Sequence, residues 1–282
     1  MKNGLRIAVL IKQVPDTSSK AGVNPDGTID RARAKRMMNP FDKFALQKAL
    51  EMKEAAGGGE IMVISMGPPP AIEVLNEALE YGADKGYLLT DRRLAASDTL
   101  ATAYALHMVV KYLGDVDLVF TGLQTTDGDT AQTGPQIAER LDLPQITYCE
   151  RLEYLGGKVK ARRVIEGGVH WLEAPLPALI TVANSATKLE HKKFANVHMV
   201  KELLRNKEEM AKKIFTITLD DVKAEPNRAG LVGSPTVVGK TWKLGEVGGS
   251  CVMFLGDSAK HNVEHLAGKL KEDNRGVEEF IQ

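Results

Sequence analysis

The chain has 282 residues, which is enough for one large domain with an appendage or for two domains. It is 43% hydrophobic and 26% charged, as is ordinary for a globular protein. Its 37 basic and 37 acidic residues give a formal net charge of zero. This balance gives no support for nucleic-acid binding, so we expect no nucleic-acid partner.

Two cysteines, Cys149 and Cys251, lie far apart and form no C-x-x-C pattern, so we expect neither a metal cage nor an iron–sulfur cluster held by this chain. Two isolated thiols fit a reducing compartment better than a disulfide framework. The N-terminal residues lack the apolar core and cleavage site of a signal peptide, and no apolar run reaches transmembrane length. We therefore expect a cytoplasmic protein that does not span a membrane.

Strand-like and helix-like segments alternate along the first half of the chain. Short apolar runs rich in β-branched residues predict strands at residues 6–12, 61–65, 85–89 and 117–120. Apolar spacing of three and four predicts helices after Asn39, after Pro70, after Asp98 and from Pro135 to Leu141. Asn39 and Pro40 read as an N-cap followed by the first helical residue. The alternation predicts an α/β fold with an open, mostly parallel sheet and helices on both faces.

The pattern changes after Pro144. Glycine-containing turns separate strand-like segments and predict added β-hairpins, with strands at 146–154, 159–165 and 169–172. Further strands are predicted at 179–183 and 214–219, and a helix from about residue 201 to residue 213. The segment between Asn184 and Val200 is polar, and we expect it to be irregular.

The C-terminal part of the chain predicts an appendage. Residues 222–256 are rich in Gly, Pro and Val, which favours an extended arm, and residues 258–272 have the apolar spacing of a terminal amphipathic helix. We therefore expect an α/β domain over residues 1–222. We expect residues 223–282 to form an extended C-terminal arm with a terminal helix that packs on a partner subunit.

The loop of residues 122–133 is the strongest candidate for ligand binding. It joins a buried strand to a helix and is rich in glycines, hydroxyls and carboxylates. Open α/β sheets bind ligands at the carboxyl ends of their strands, and the start of a helix favours phosphate. An ordinary polar βα loop is the alternative. Residues 38–41 and 90–99 reach the same edge, and this cleft has no evident nucleophile or base, which favours a cofactor of nucleotide type.

Three other features are weaker. Gly233–Thr241 resembles a phosphate-binding P-loop, but its spacing is one residue too long and Pro235 stands where an amide should face the phosphate. The sequence His261-x-x-Glu264-His265 matches a zinc-peptidase pattern but leaves little chain for a third ligand, so we expect two exposed histidines there. The remaining histidines show no pairing, and we expect them to be at the surface or locally hydrogen-bonded: His107, His170, His191 and His198.

Taken together, several motifs resemble the β subunit of electron transfer flavoproteins. The motifs lie at Ile7–Lys12, Met38–Phe41, Ala78–Lys85, Gly122–Gly134, Glu166–Gly168 and Arg228–Gly230. In this order and spacing they cover nearly all of the chain to about residue 240. The resemblance implies an adenine-nucleotide-binding α/β domain in a heterodimer with an α subunit that holds an FAD.

Asp127-Gly-Asp-Thr-Ala-Gln132 is similar to the loop of the electron-bifurcating branch of this family, whereas AMP-binding carriers tend toward Asp-Asp-Asp-Cys-Asn-Gln. The segment from Asp91 to Thr102 also resembles the bifurcating branch. The resemblance implies a redox-active subunit whose cleft holds an FAD that accepts a hydride from NADH. The electron pair would then divide between the α-subunit FAD with its partner dehydrogenase and a low-potential acceptor, ferredoxin or flavodoxin.

Two alternatives remain open at this point. One is a non-bifurcating carrier with a structural AMP in the same cleft, which passes electrons from a dehydrogenase through a quinone oxidoreductase to the respiratory chain. The other is a nucleotide-binding regulatory protein that shares only the fold, since fold does not determine function.

The resemblance places nucleotide contacts at Leu10, Asn39, Phe41, Met66, Thr125, Asp127, Gly128, Gln132 and Thr133. The two polar loops add the candidate cofactor-binding residues Asp91, Arg92, Asp98, Thr99, Asp129, Thr130 and Ala131. We expect Gly128 and Ala131 to make room near the nucleotide and to free the backbone to approach a flavin. No catalytic side chain and no metal ligand is assigned.

In the family, a loop with an Asn-Glu-Pro-Arg-Tyr-like motif carries an apolar residue that anchors the partner dehydrogenase. Residues 184–197 of this chain have largely lost that motif. Phe194 and Val197 are the candidate partner-docking residues that remain.

Overall fold

The structure is a computed structural model and describes residues 4–16, 35–237, 239, 251 and 253–273. The chain divides into two compact units, Met1–Thr241 and Trp242–Gln282. The first unit extends beyond the predicted boundary at residue 222, because the following segment packs against the α/β domain. Ala224 and Ala229 of this segment are buried in one of the apolar clusters of that domain.

The described strands are β1 (Leu5–Leu10), β2 (Gln13–Pro15), β3 (Arg36–Met38), β4 (Gly59–Met66), β5 (Lys85–Leu89), β6 (Leu118–Gly122), β7 (Gln145–Tyr154), β8 (Lys158–Ile165), β9 (Gly168–Pro175), β10 (Ala178–Val182) and β11 (Ile214–Ile217). Nine of the strands within the described residues form one open sheet in the order β11-β5-β4-β1-β6-β10-β7-β8-β9. Pairing is parallel from β11 to β7 and antiparallel from β7 to β9. β2 and β3 form a separate antiparallel pair. The predicted mostly parallel sheet with added hairpins is confirmed.

The described helices are α1 (Pro40–Ala55), α2 (Ile72–Tyr81), α3 (Thr99–Leu113), α4 (Thr133–Leu141), α5 (Phe194–Arg205), α6 (Lys207–Ala211) and α7 (Ala259–Asp273). Buried residues of α1, α2 and α5 join one apolar cluster on the sheet, and those of α3 and α4 join a second cluster. Helices therefore cover both faces, as predicted. The central strands β6 and β10 are buried along their whole length, which explains their continuous apolar sequence.

The helix predicted at 201–213 is wrong in its bounds. Helix α5 already begins at Phe194, inside the segment expected to be irregular, and the chain breaks at Asn206 before α6. The side chain of Asn206 accepts hydrogen bonds from the amides of Glu208 and Glu209, so this residue starts a new helix. Val200 is buried in α5, and Val197 and Leu203 are half-buried at a spacing of three on either side of it, so the apolar face of this helix begins before the predicted boundary.

The described part of the second unit contains α7, close to the predicted helix. His261 and His265 are exposed on this helix, with ring centres 4.6 Å apart. Across the described ranges, no group of three or more His, Cys, Asp or Glu side chains is placed to hold a metal ion. None of the helices in the described parts of the chain has the length and apolar character needed to cross a bilayer.

Candidate functional site

The candidate site lies where the chain changes direction across the sheet. From β1 the chain proceeds to β4 and β5 on one side and then returns to β6 on the other side of β1. The helices that follow β1 and β6, α1 and α4, lie on opposite faces of the sheet. Open α/β sheets bind ligands at the carboxyl edge of such a switch point, and we call this edge the candidate crevice. In the register of this edge, Leu10 pairs with Ile64 on one side and with Thr121 on the other.

Asn39 connects the start of α1 to the loop of residues 122–133. It occupies the predicted N-cap position, but its side chain makes no capping hydrogen bond. Instead, Nδ2 donates to the backbone oxygen of Gln124 at 2.8 Å, and Oδ1 accepts from the amide of Thr126 at 3.3 Å. Asn39 is fully buried, so these hydrogen bonds hold the loop from inside the protein.

Asp42, in the first turn of α1, lies at the same edge and is not among the residues predicted from the sequence. Its carboxylate is buried and accepts a hydrogen bond from the backbone amide of Lys12, with an N–O distance of 2.7 Å. Burial raises the pKa of Asp42 to about 7, against the opposing effect of hydrogen bonds from Asn39, Lys12 and Gly122. The side chain therefore connects the ends of β1 and β6 to helix α1. In the sequence it looks like an ordinary acidic residue in a first helical turn.

Gly122 is required by this close packing. A methyl carbon added to Gly122 would lie 2.4 Å from Oδ1 of Asp42 and 2.7 Å from the backbone carbon of Phe41. Helix α1 can approach the end of β6 only because this position lacks a side chain.

Lys12 and Asp127 form an ion pair across the mouth of the crevice. The Lys12 Nζ lies 2.8 Å from both carboxylate oxygens of Asp127, and the side chains are 44% and 33% exposed. Partial burial acts to raise the pKa of Asp127, but hydrogen bonds from Lys12 and Thr125 outweigh it and the pKa is lowered. Asp127 therefore stays ionised and holds the loop toward the end of β1.

The backbone strain in this loop lies at Asp129 and Ala131, whose φ angles are +50° and +53°. The φ of Gly128 lies outside the left-handed region, and an added methyl carbon would meet only the Thr125 hydroxyl, at 3.4 Å. The loop conformation thus does not require a glycine at position 128. Gly128, Asp129 and Thr130 are exposed and border the crevice.

The amino end of α4 presents free donors to the crevice. Within the described chain, no hydrogen bond to another residue is found for the amides of Thr130 to Thr133. Left-handed Ala131 followed by right-handed Gln132 turns neighbouring amides toward one side, an arrangement that suits an anion. Gly134 lets α4 sit close to the sheet, because a methyl carbon there would lie 2.8 Å from the Thr181 side chain.

Thr99 is the residue of the second polar loop that reaches the nucleotide loop. Its hydroxyl donates to Oε1 of Gln132 at 3.2 Å and accepts from Nε2 of Gln136 at 3.4 Å. These hydrogen bonds place the first turn of α3 beside the start of α4. The loops of residues 90–99 and 122–133 are therefore neighbours, as predicted.

The carboxylates of Asp91 and Asp98 already accept hydrogen bonds from other residues of this chain. The guanidinium of Arg93 lowers the pKa of Asp91 to about 2, and the same carboxylate accepts from the amides of Arg93 and Leu219. Asp98 caps α3 through the amide of Ala101. It also accepts hydrogen bonds from the amide and hydroxyl of Thr236.

Arg93 is not among the binding residues predicted from the sequence. Its side chain joins Asp91 to Asp220 through hydrogen bonds to both carboxylates. Only the tertiary structure brings residue 220 to this loop.

The apolar candidates lie at the same edge. Leu10 ends β1 and is buried, Met66 ends β4 and is half-buried, and Phe41 is the second residue of α1 and half-buried. Together with Asn39, the loop of residues 122–133 and Thr99, they lie at the carboxyl edge of the sheet that forms the candidate crevice.

The predicted docking residues lie apart from this crevice, on α5. The Phe194 side chain is 84% exposed, whereas Val197 is half-buried. The preceding loop is tied to the domain, since Lys192 pairs with Glu80 at 2.6 Å and the amide of Glu190 donates to Gln47 at 3.3 Å. Phe194 therefore follows directly after a segment that these contacts anchor to the domain, and its side chain is exposed.

The open, mostly parallel sheet with helices on both faces and a switch point beside β1 defines a doubly wound α/β domain. The sequence profile of the electron transfer flavoprotein domain matches residues 26–219. The chain belongs to the electron transfer flavoprotein family and is an electron transfer subunit of the β/FixA type. Subunits of this type pair with an α subunit in a complex that involves flavin.

Relatives cover most of the chain. It is 38% identical over 273 residues to the acryloyl-CoA reductase electron transfer subunit gamma of Anaerotignum propionicum, which covers 94% of this chain and 98% of that protein. It is 42% identical over 235 residues to the electron transfer flavoprotein subunit beta of Thermoanaerobacterium thermosaccharolyticum, with 83% and 86% covered. Protein FixA of Sinorhizobium fredii is 42% identical over 243 residues, with 83% and 81% covered.

Proposed function

We propose that this subunit binds FAD in the crevice between β1 and β6 and takes part in electron bifurcation from NADH. The observation that carries the proposal is the start of α4, where amides that have no hydrogen-bond partner among the described residues adjoin a loop held by Asn39. Such donors suit the diphosphate of a dinucleotide. The small residues Gly128 and Ala131 leave the rim of this loop open, which suits a ligand that extends beyond a mononucleotide.

The flavin would supply the redox chemistry, accepting a hydride from NADH and releasing the two electrons along separate routes. The protein's contribution is to bind and orient. Asn39 and Asp42 fix the two loops that line the crevice, and the Lys12–Asp127 pair closes one side of its mouth. Leu10, Phe41 and Met66 offer apolar surface for the ring systems.

Two electron routes complete the proposal. One electron passes to the α-subunit FAD and a partner dehydrogenase, and the other passes to ferredoxin or flavodoxin. The name of the Anaerotignum propionicum relative connects that protein with acryloyl-CoA reductase. This favours a partner dehydrogenase that acts on acyl-CoA substrates, with Phe194 and Val197 of α5 as its docking residues.

The α subunit is proposed to cover the second unit. Val263, Leu266 and Leu270 recur at spacings of three and four along α7 and are exposed. Such an apolar stripe is typical of a helix that packs on another surface. The proposed compartment is the cytoplasm, which the two free cysteines support.

Nucleotide content tests the central proposal. The α/β heterodimer is purified, and the nucleotides released on denaturation are counted by chromatography. Two FAD per heterodimer, with reduction by NADH, is the expected result. One FAD and one AMP would instead establish the alternative carrier, which passes electrons from a dehydrogenase through a quinone oxidoreductase. Adenine nucleotide without flavin in a stable monomer would indicate a regulatory protein.

A substitution at Gly128 tests the assignment of the loop. Gly128→Asp restores a carboxylate found in the AMP-type loop, so we expect FAD to be weakened more than AMP. Gly128→Ala is the matched control, since its methyl group meets only the Thr125 hydroxyl at 3.4 Å. Equal retention of FAD and AMP by the Asp variant would place Gly128 away from the flavin.

A further inference from the structure

A cleft lies at the first turn of α3, beside Leu100. It has a volume of about 450 Å³, which is within the range of small-molecule sites, and is lined by Leu100, Arg140, Asn227, Arg228, Val232, Gly233, Ser234 and Pro235. The lining comes from the first turn of α3, the last turn of α4 and the segment after residue 226. None of the predicted cofactor-binding residues belongs to this cleft.

Two arginines of the cleft converge on one buried tyrosine. The guanidinium carbon of Arg228 lies 4.3 Å from the ring centre of Tyr104, and that of Arg140 lies 5.5 Å from it. Tyr104 is 3% exposed, and its hydroxyl accepts a hydrogen bond from the amide of Glu225 at 2.8 Å. The ring thus gives both guanidinium groups a fixed support.

The positive charge at this place is poorly compensated. Among the residues that the structure describes, the ion pair found for these two arginines joins Arg228 to Glu225 at 3.9 Å, with side chains 49% and 63% exposed. Such an exposed, distant pair contributes little. Burial lowers the pKa of the neighbouring His107, and the charges of Lys111, Arg140 and Arg228 lower it further. An anion bound in the cleft would offset the positive charge of the two guanidinium groups, which both line it.

Ser234 is another polar residue of the lining, and its hydroxyl already forms two hydrogen bonds within the protein. The Ser234 hydroxyl donates to the backbone oxygen of Gly230 at 2.7 Å and accepts from the amide of Asp98 at 2.8 Å. The remaining donors are the two guanidinium groups and the amide of Asn227. Apolar surface comes from Leu100, Val232 and Pro235.

We propose that the cleft between Arg140 and Arg228 binds the phosphoryl group of a small phosphorylated molecule. A guanidinium donates two parallel hydrogen bonds to an oxyanion, and a phosphoryl group has enough oxygens and charge for two such partners. A carboxylate satisfies one arginine in this way. The apolar residues of the lining would pack against the organic part of the ligand. This site is separate from the proposed FAD crevice and does not depend on electron bifurcation.

Gly230 and Gly233 allow the segment that carries Arg228 to pack closely against neighbouring backbone. A methyl carbon on Gly233 would lie 2.1 Å from the backbone carbon of Arg228, and one on Gly230 would lie 1.8 Å from the backbone oxygen of Arg93. These close approaches fix the segment that carries Arg228 against the α/β domain. The backbone position from which the Arg228 side chain extends is therefore fixed.

The test uses the purified α/β heterodimer with its bound nucleotides and measures binding by calorimetry. Pyrophosphate is the probe, and glutamate is the carboxylate comparison. We expect pyrophosphate to bind at about millimolar concentration or below, more tightly than glutamate and less tightly at high salt. Arg140→Gln and Arg228→Gln should each weaken it about tenfold or more, the effect of losing one charged hydrogen-bonded pair.

Two further variants separate binding from folding. Arg228→Lys keeps the charge but loses the two-pronged donor, so an intermediate loss is expected even if Arg228→Gln unfolds. Arg205→Gln is the matched control, because Arg205 lies on α5, is 75% exposed and pairs with Glu202. Thermal unfolding of each variant checks that the fold is intact.

Three results would overturn the proposal. Pyrophosphate binding only at much higher concentration would mean an adventitious ion only. Equal or tighter binding of glutamate would assign the cleft to a carboxylate, and unchanged binding in the folded arginine variants would place the anion elsewhere. Nucleotide content is counted in the same samples, so failure of the FAD proposal is observed separately.

Discussion

The side-chain nitrogen of Asn39 donates a hydrogen bond to the backbone oxygen of Gln124 at 2.8 Å, although the two residues are 85 positions apart. The same side chain accepts from the amide of Thr126, and it is fully buried. Through this one residue, the start of α1 holds the loop that lines the candidate nucleotide crevice. The shape of the crevice therefore depends on a side chain outside the loop.

Asn39→Ala should lower both stability and nucleotide retention. It leaves a buried backbone oxygen and amide without partners, which costs about 1–3 kcal/mol of unfolding free energy. Chemical denaturation and the nucleotide content after gel filtration measure the two effects. Asn206→Ala is the control, because it removes an exposed helix cap at a cost of about 1 kcal/mol but lies outside the crevice. Equal nucleotide retention by the two variants would contradict the role of Asn39.

Gly122→Ala should destabilise the domain by about 1–3 kcal/mol or more, as overpacking in a closely packed site does. The added methyl carbon would lie 2.4 Å from the Asp42 carboxylate, so α1 must move away from β6. Denaturant titration measures the loss. Gly128→Ala serves as the comparison, with a nearest contact of 3.4 Å. If both alanine variants are equally stable, α1 and β6 do not approach as described.

Asp42 should make stability depend on pH. Its pKa is raised to about 7 in the folded protein from an ordinary value of 3.8, so the folded state holds the proton more tightly. This contribution to stability is fully present below about pH 4 and is lost as the pH rises toward about 7. Asp42→Asn has no such titration. The stability of the wild type relative to this variant should therefore decrease from pH 5 to pH 8, as measured by denaturant titration. Parallel pH profiles of the two proteins would refute this assignment.

Phe194→Ala should leave the unfolding free energy within about 0.5 kcal/mol, since the side chain is 84% exposed. If Phe194 contacts the partner dehydrogenase, the rate of electron transfer to that enzyme should fall while reduction by NADH is unchanged. Leu204→Ala is the matched control, because Leu204 is on the same helix and 57% exposed. Equal transfer rates in the two variants would exclude docking through Phe194.

Much of the fold could be predicted locally. The strand expected at residues 85–89 has the bounds of β5, and the hairpin strands after Pro144 are close to β7, β8 and β9. The start of α5 differs from the prediction because the N-cap position is Lys193, whose side chain makes no capping hydrogen bond, and the first turn has no acidic residue. The sequence therefore has none of the usual signals for a helix start at this point.

The proximity of the two polar loops was predictable from the sequence, and their interactions were less so. The loop of residues 122–133 and Thr99 lie together at the carboxyl edge, as the alternation of strands and helices implied. Asp91 and Asp98, in contrast, bind Arg93 and Thr236 of the protein itself. Their hydrogen-bonding capacity is identical in either role, so the sequence does not distinguish ligand contact from structural contact.

The sequence by itself determined the order of strands and helices, the family and the polar loop that joins β6 to α4. These follow from residue spacing and motifs, which are properties of neighbouring positions. Only the tertiary structure decided that Asn39 holds Gln124, that Asp42 is buried between Lys12 and Gly122, and that Arg140 and Arg228 share one tyrosine. Such contacts join residues far apart in the chain, and burial alone changes the chemistry of the same side chain.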